Sequence, residues 1–373
     1  MAFSPENRKG TIYGIIFVAI FAAAATSIAQ ISFIKSLGIS PLVIGIVLGI
    51  FYANTLHNHI PSEWGTGITF SGKKILRFAI VFYGFRITFQ QIMDVGLSGF
   101  TVSLIMLSTT FLLGTYLGIK AFKMDRETSM LTAAGGAVCG AAAVLATEPV
   151  LKAEGYKTAV AVSMVVLFGT ISMFLYPVLY ASIIEPAQGF LHMTPEQFGI
   201  YTGGTIHEVA QVVAVPASIP TATIHDVVTT AGGATMSAEA LHTQMANSAV
   251  IVKMTRVIMI APMLIVLGIY LSMQAKKEGK AGGKLQLVIP WFAVYFIGMA
   301  GFNSLDLVPH AIVGTINTID TFLLTMAMTA LGMGTIFSKF KGLGLAPLYT
   351  AGSMFVWLVV GGFLVTKAVT AVL

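Results

Sequence analysis

The stretch ANSAVIVKMTRVIMIAPMLIVLGIYLSM, residues 246–273, decides how this chain is read. At ~1.5 Å per residue it is long enough to cross ~30 Å of hydrocarbon, yet it carries Lys253 and Arg256. A charge at bilayer depth costs at least ~2.5–3.5 kcal/mol and must be offset by a partner or a function. Three residues apart, the two cations share a helix face, roughly 10–15 Å from the outer end of the span. Snorkelling along the bilayer normal relieves one of them but not both. A substrate or gating role is the favoured reading, with structural pairing to Glu208 or Glu148 as the alternative.

Outward from this stretch the rest of the chain repeats its character. Of 373 residues, 56% are hydrophobic and 10% charged, against roughly 45–50% and ~25% in soluble domains. Water cannot be the solvent for such a chain, because the apolar fraction a soluble fold can hide is limited. Comparable apolar runs fall at 12–34, 41–56, 75–93, 98–121, 129–149, 158–183, 287–305, 314–338 and 346–371, with a shorter one at 199–216. The expectation is therefore an all-α polytopic membrane protein of about eleven transmembrane segments, a single membrane-embedded unit over 1–373. The run 12–34 exceeds the ~7–15 residues of a signal peptide's apolar region and is read as an uncleaved first span.

The net charge of +6 resides mostly in short clusters between runs: Arg8/Lys9, Lys73/Lys74/Arg77, Lys120/Lys123/Arg126, Lys276/Lys277/Lys280/Lys284 and Lys339/Lys341. They recur at every second loop, which places them in the cytoplasm with the N-terminus and puts the C-terminus outside. No basic face alternates with stacking aromatics, so no nucleic-acid partner is expected. Two segments, 129–149 and 199–216, admit a second reading as re-entrant or broken helices. That reading leaves about nine full spans and puts Lys152 and Lys157 inside.

Internal similarity points to two halves of opposite direction, approximately 41–184 and 198–373, plus the extra N-terminal span. Leu76 to Gly96 resembles Leu324 to Gly344, and Gly135-Gly136-Ala137-Val138-Cys139-Gly140 resembles Gly203-Gly204-Thr205-Ile206-His207-Glu208. The matches do not all fall in the same order. Inverted repeats with two broken or crossing helices characterise many secondary transporters. A helix broken inside the membrane exposes backbone groups that lipid cannot satisfy. Gly135-Gly136 and Gly203-Gly204 are therefore expected to aim N–H donors at an anion, close helix packing being the alternative. His207, Glu208 and Gln211 form a second cluster. His207 beside a desolvated carboxylate suits a coupling proton, unless Glu208 is only the counter-ion of Arg256.

Enzyme motifs do not appear. There is no His-Glu-x-x-His, no Walker loop and no nucleophile elbow. His57, His59 and Glu63, with Asp94, lack a distinctive metal spacing, and no metal or cofactor is expected. Cys139, the single cysteine, reads as packing when judged alone.

With those residues in view, the sequence resembles the YeiH family of bacterial inner-membrane proteins, often described as sulfate exporters. The likeness runs over nearly the whole chain. It rests on Gly84-Phe85-Arg86, Val138-Cys139-Gly140, Ile206-His207-Glu208-Val209-Ala210-Gln211-Val212-Val213, Val252-Lys253-Met254-Thr255-Arg256 and Pro290-Trp291-Phe292. The His-Glu-x-x-Gln and Lys-x-x-Arg elements are the specific part. The resemblance implies a secondary transporter related to bile-acid symporters and cation/proton antiporters. It further implies a moving core, a panel that forms a homodimer, and elevator-like motion. Where that family commonly has Ser beside the Cys-Gly pair, this chain has Ala137 and Ala142, so two hydroxyl donors to an oxyanion are missing.

The expected function is export of a small anion, sulfate or a sulfonate, coupled to a proton or Na+. Substrate contacts are expected from Lys253, Arg256, Gly135, Gly136, Cys139, Gly140, Gly203, Gly204 and Thr205, and ion coupling from His207, Glu208 and Gln211. A passive anion or weak-acid channel, and more remotely a membrane-embedded lipid enzyme, are the competing classes.

Overall fold

The computed structural model describes residues 4, 7–36, 40–56, 61–228, 235–277, 291–336, 338 and 344–373. His57, His59, Lys280, Lys284, Lys339 and Lys341 lie outside them. The elements used below are α1 (Arg8–Ala29), α2 (Pro41–Thr55), α3 (62–86), α4 (Phe89–Ala121), α5 (Arg126–Ala137), α6 (Ala141–Leu151), α7 (Gly155–Ile184), α8 (Pro195–Thr205), α9 (Val209–Ala217), α10 (Ala238–Ile258), α11 (Ile260–Lys277), α12 (Trp291–Asn303), α13 (His310–Gly334) and α14 (Leu345–Val372). Among the described residues, six continuous helical stretches, α1, α4, α7, α10 with α11, α13 and α14, are long and apolar enough to cross a membrane. The chain is an all-α polytopic membrane protein.

Packing divides the helices into two groups. In the panel, α1, α2, α3, α12 and α13 pack on one another; in the core, α4, α7, α10 and α14 surround the two broken helices α5/α6 and α8/α9. Small residues set the closest approaches. A Cβ on Gly203 or Gly199 of α8 would run into the carbonyls of Ala249 or Met245 on α10, so here the glycines serve helix packing. The core helix α14 comes from the C-terminal end of the chain and packs against α4, α5, α7 and α8.

The two apolar segments that admitted a second reading turn back on themselves in the structure, in keeping with that reading. Lys157, at the start of α7, pairs with Asp125 (3.3 Å) and Glu127 (2.8 Å) at the start of α5. Both ends of the α5/α6 segment therefore lie at one end of the bundle. Likewise Gln244 of α10 donates to Glu196 at the start of α8 (2.9 Å), while His242 meets the Pro216 carbonyl at the end of α9 (2.9 Å). These are two re-entrant hairpins entering from opposite ends, and their tips, 138–140 and 206–208, meet in the interior.

A correction concerns the boundary between the spans read as 75–93 and 98–121. Ile87 is extended (φ −122°), and Thr88 and Gln91 form a capping box that starts α4, because each satisfies a backbone N–H the helix start leaves unpaired. The preceding helix begins far earlier, at Ser62, with Glu63 in its first turn. It passes through a π-helical turn at Ser71–Ile75. It runs alongside α1 in parallel, Gly10 against Glu63 and Gly14 against Gly67. Lys73, Lys74 and Arg77 are thus not in a loop: at ~1.5 Å per residue they sit some 17–22 Å along the helix.

Candidate functional site

Where the two tips meet, four helix ends converge: the C-termini of α5 and α8 and the N-termini of α6 and α9. An α-helix end leaves unpaired carbonyls at its C-terminus and unpaired N–H groups at its N-terminus, equivalent to roughly half a charge of either sign. The two kinds of end meet different fates here.

The C-terminal ends are closed by the two cations of α10. Lys253 Nζ donates to the carbonyls of Val138 (2.8 Å), Ile206 (2.7 Å) and His207 (2.7 Å). Arg256 donates to Gly204 (2.5 Å), to Gly136 (3.1 Å) and, through two nitrogens, to Ala137. Both residues are 0% exposed. Neither forms an ion pair with Glu208 or Glu148 among the described residues; their hydrogen-bond partners are helix carbonyls. The glycine pairs are corrected too. Gly135-Gly136 and Gly203-Gly204 lie at the C-terminal ends, where Gly136 and Gly204 present acceptors and not N–H donors.

The N-terminal ends open onto a cavity of about 270 Å³ between core and panel. Ala141 and Ala142 of α6 and Val209 of α9 line it on the core side, with Cys139 and Glu208 at the tips. Lys73 and Arg77 of α3 line the panel side, and Phe292, Leu331 and Leu76 are among its apolar walls. The Arg77 guanidinium lies 5.7 Å from the Phe292 ring centre. Glu208 Oε1 accepts from Ala141 N at 3.3 Å. Gly140 makes this approach feasible: its φ of +80° suits glycine, and a Cβ there would lie 2.5 Å from Glu208 Cγ.

The His207, Glu208 and Gln211 cluster is split by the fold. Glu208 faces the cavity, whereas buried His207 faces a void of about 10 Å³ on the other side, lined by Met164 and Met354 among others. Gln211 Oε1 accepts from Glu208 N (3.1 Å) and so caps α9. Thr205 is engaged elsewhere, accepting from Tyr176 OH (2.8 Å) and donating to the Tyr201 carbonyl (2.6 Å).

Sequence reasoning missed two cations that line the cavity, Lys73 and Arg77, and one buried carboxylate, Asp320. Lys73 and Arg77 looked like loop charges because the apolar run begins only after them. Asp320 of α13, 1% exposed, pairs with Arg86 at 3.3 Å; the detectable signal was a lone carboxylate within the run 314–338.

The fold and its paired re-entrant tips define a polytopic α-helical membrane protein built around two broken helices. Residues 13–351 match the family described as Conserved hypothetical protein 698. A UPF0324 membrane protein of Bacteroides thetaiotaomicron is 45% identical over 360 residues, 96% of this chain and 98% of its own. One from Pseudomonas putida is 43% identical over 373 residues, 100% and 98% of the two chains. The UPF0324 inner membrane protein YeiH of Escherichia coli K12 is 42% identical over 362 residues, 97% and 95% of the two. The chain belongs to this UPF0324/YeiH family.

Proposed function

We propose that this protein is a secondary transporter of the bacterial inner membrane that moves a small anion, of the sulfate or sulfonate class, by displacement of core against panel. One observation carries the reading. Two half-helix N-termini open onto the same cavity as Lys73 and Arg77, with Glu208 as the carboxylate that offsets them. Backbone N–H groups and helix dipoles hold anions without further side chains, so the absence of Ser at 137 and 142 does not deprive the cavity of donors.

In this reading Lys253 and Arg256 keep the tips assembled and Lys73 and Arg77 meet the substrate. The chain acts as a carrier and not an enzyme, works as a homodimer, and has its N-terminus in the cytoplasm. Export follows physically from an inside-negative potential, since each negative charge leaving gains ~2.3 kcal/mol per 100 mV.

The test uses proteoliposomes loaded with sulfate or methanesulfonate. Efflux from wild type should be saturable and should drop at least tenfold in Lys73→Ala/Arg77→Ala. Saturable sulfate or methanesulfonate protection of Cys139, the single cysteine, from a methanethiosulfonate reagent should accompany it. Undiminished efflux in the double variant sinks the site; efflux that never exceeds the electrochemical gradient under any imposed ion gradient makes the protein a channel.

A further inference from the structure

We propose that the Glu208 carboxylate is a tethered resident anion that competes with the transported anion for the N-terminal end of α6, so that proton and anion cross together. The inference rests on the cavity being the transport site.

Its basis is what Glu208 touches. The side chain has been placed where a free anion would bind: Oε1 accepts from Ala141 N (3.3 Å), the first residue of an N-terminus that would otherwise face the cavity. The Gly140 backbone is bare on that side, as its Cβ would fall on Glu208 Cγ. The backbone of Glu208 is fixed independently, by the Gln211 side chain on its N–H, and Gln211 is itself wedged against Gly169. The Glu208 side chain is also one half of the capping box that starts α9, so the carboxylate can leave the α6 terminus while α9 stays capped by the bond from the Glu208 N–H to the Gln211 side chain. Glu208 is partly exposed to the cavity, so water can deliver and remove its proton.

The surroundings restrict which other group could play this part. From α3 the cavity presents Lys73 and Arg77, and from the α5/α6 tip Cys139. From α7 it presents Val162 and Val166, from α12 Phe292, and from α13 Ala330, Leu331 and Gly334, none of which titrates. Lys253 of α10 lies behind the tips, its ammonium spent on three carbonyls. His207 faces the opposite side. Glu208 is the one carboxylate among the described lining residues.

Two anions cannot share one set of donors, since like charges held this close repel. The substrate enters when the carboxylate takes a proton from water and, as a neutral acid, releases the Ala141 N–H. On the far side substrate leaves, the proton returns to water, and the carboxylate reoccupies the terminus. Each cycle moves one anion and one proton in the same direction. For a dianion the pair retains one negative charge, so outward movement still runs down an inside-negative potential. Linkage requires the reciprocal effect, with anion affinity rising as pH falls.

The experiment compares wild type with Glu208→Gln in proteoliposomes containing a pH-sensitive dye, with sulfate or methanesulfonate as the probe. In wild type an anion gradient should drive proton movement in the same direction. Anion protection of Cys139 should strengthen up to tenfold per pH unit lowered, as one linked proton demands. Glu208→Gln should still bind and exchange the anion, without proton movement and with protection independent of pH. Proton movement opposite to the anion, or coupling retained in Glu208→Gln, overturns the proposal and leaves the cavity reading standing. If neither probe binds wild type or crosses with it, the cavity reading fails and this proposal with it. Should Glu208→Gln fail to fold, the wild-type pH series decides alone: protection equal at pH 6 and pH 8 refutes competition.

Discussion

Two pairs of cations flank the hairpin tips, and they differ in almost every respect except charge. Lys253 and Arg256 are sealed, with their donors directed at the ends of two half-helices. Lys73 and Arg77 are exposed to a cavity, and no hydrogen bond or ion pair holds either of them among the described residues. A buried charge with all its partners supplied is a part of the fold, whereas a charge facing an open cavity awaits a partner from outside. Sign alone does not distinguish a structural charge from a functional one; what fills its hydrogen bonds does.

The largest effect that can break this contrast is loss of the sealed pair. Arg256→Ala or Lys253→Ala leaves buried carbonyls unpaired and is expected to cost about 3–5 kcal/mol. Fluorescence-detected gel filtration after heating should show collapse of the folded peak, with or without anion. A variant that keeps wild-type stability and loses only transport would reverse the assignment of the two pairs.

Next in size is Gly140→Ala, which forces a side chain into positive φ at about 1–2 kcal/mol and pushes on Glu208. Lower thermal stability together with anion protection of Cys139 weakened more than tenfold is the expected pair of results. A fully wild-type protection curve would show that the anion does not bind against the Gly140 backbone at the α6 terminus.

Lys73→Ala and Arg77→Ala should leave stability within about 0.5 kcal/mol of wild type, as open-facing substitutions do. The thermal shift produced by sulfate or methanesulfonate should disappear. Loss of stability as large as that of Arg256→Ala would erase the distinction.

The smallest effect concerns the clasp that holds the α5/α6 hairpin at its base. Burial would raise the Asp125 carboxyl, but hydrogen bonds from Thr128 and Lys157 outweigh it and hold the carboxyl below its ordinary value. A depressed carboxyl stabilises the fold above the unfolded value near ~3.9 and loses that contribution as pH falls through the folded value. Lys157→Ala should therefore lower thermal stability slightly at pH 7 and by less at a pH low enough to protonate the Asp125 carboxyl. Equal loss at both pH values would assign the effect to packing.

Much of the fold could be read from the sequence, since apolar length reports the solvent directly. Both breaks were visible at Gly135-Gly136 and Gly203-Gly204. Their polarity was not, because a glycine pair marks an interruption without saying on which side of it the N–H groups point. Re-entry was equally hidden: α6 has the same apolar composition whether it turns back or crosses, and the deciding contact, Lys157 with Asp125 and Glu127, joins residues distant in sequence. Lys73 and Arg77 were misplaced because counting charges at span edges presumes that an apolar run marks the helix. Here α3 begins at Ser62, through Thr66 and Ser71, polar residues tolerated by intrahelical and cross-helix bonds such as Thr11 with Thr66 (3.0 Å).

The carbonyls held by Lys253 and Arg256 come from both hairpins: Gly136, Ala137 and Val138 from one, Gly204, Ile206 and His207 from the other. Two side chains thus rivet together tips that reach the interior from opposite faces. Sliding one hairpin past the other would tear charged hydrogen bonds out of a water-free interior. The least costly relative motion is at the seam between core and panel, where fewer helices touch and where Lys73 and Arg77 face Glu208 across the cavity. If the protein works as the proposed carrier, the rivet makes the two hairpins travel together.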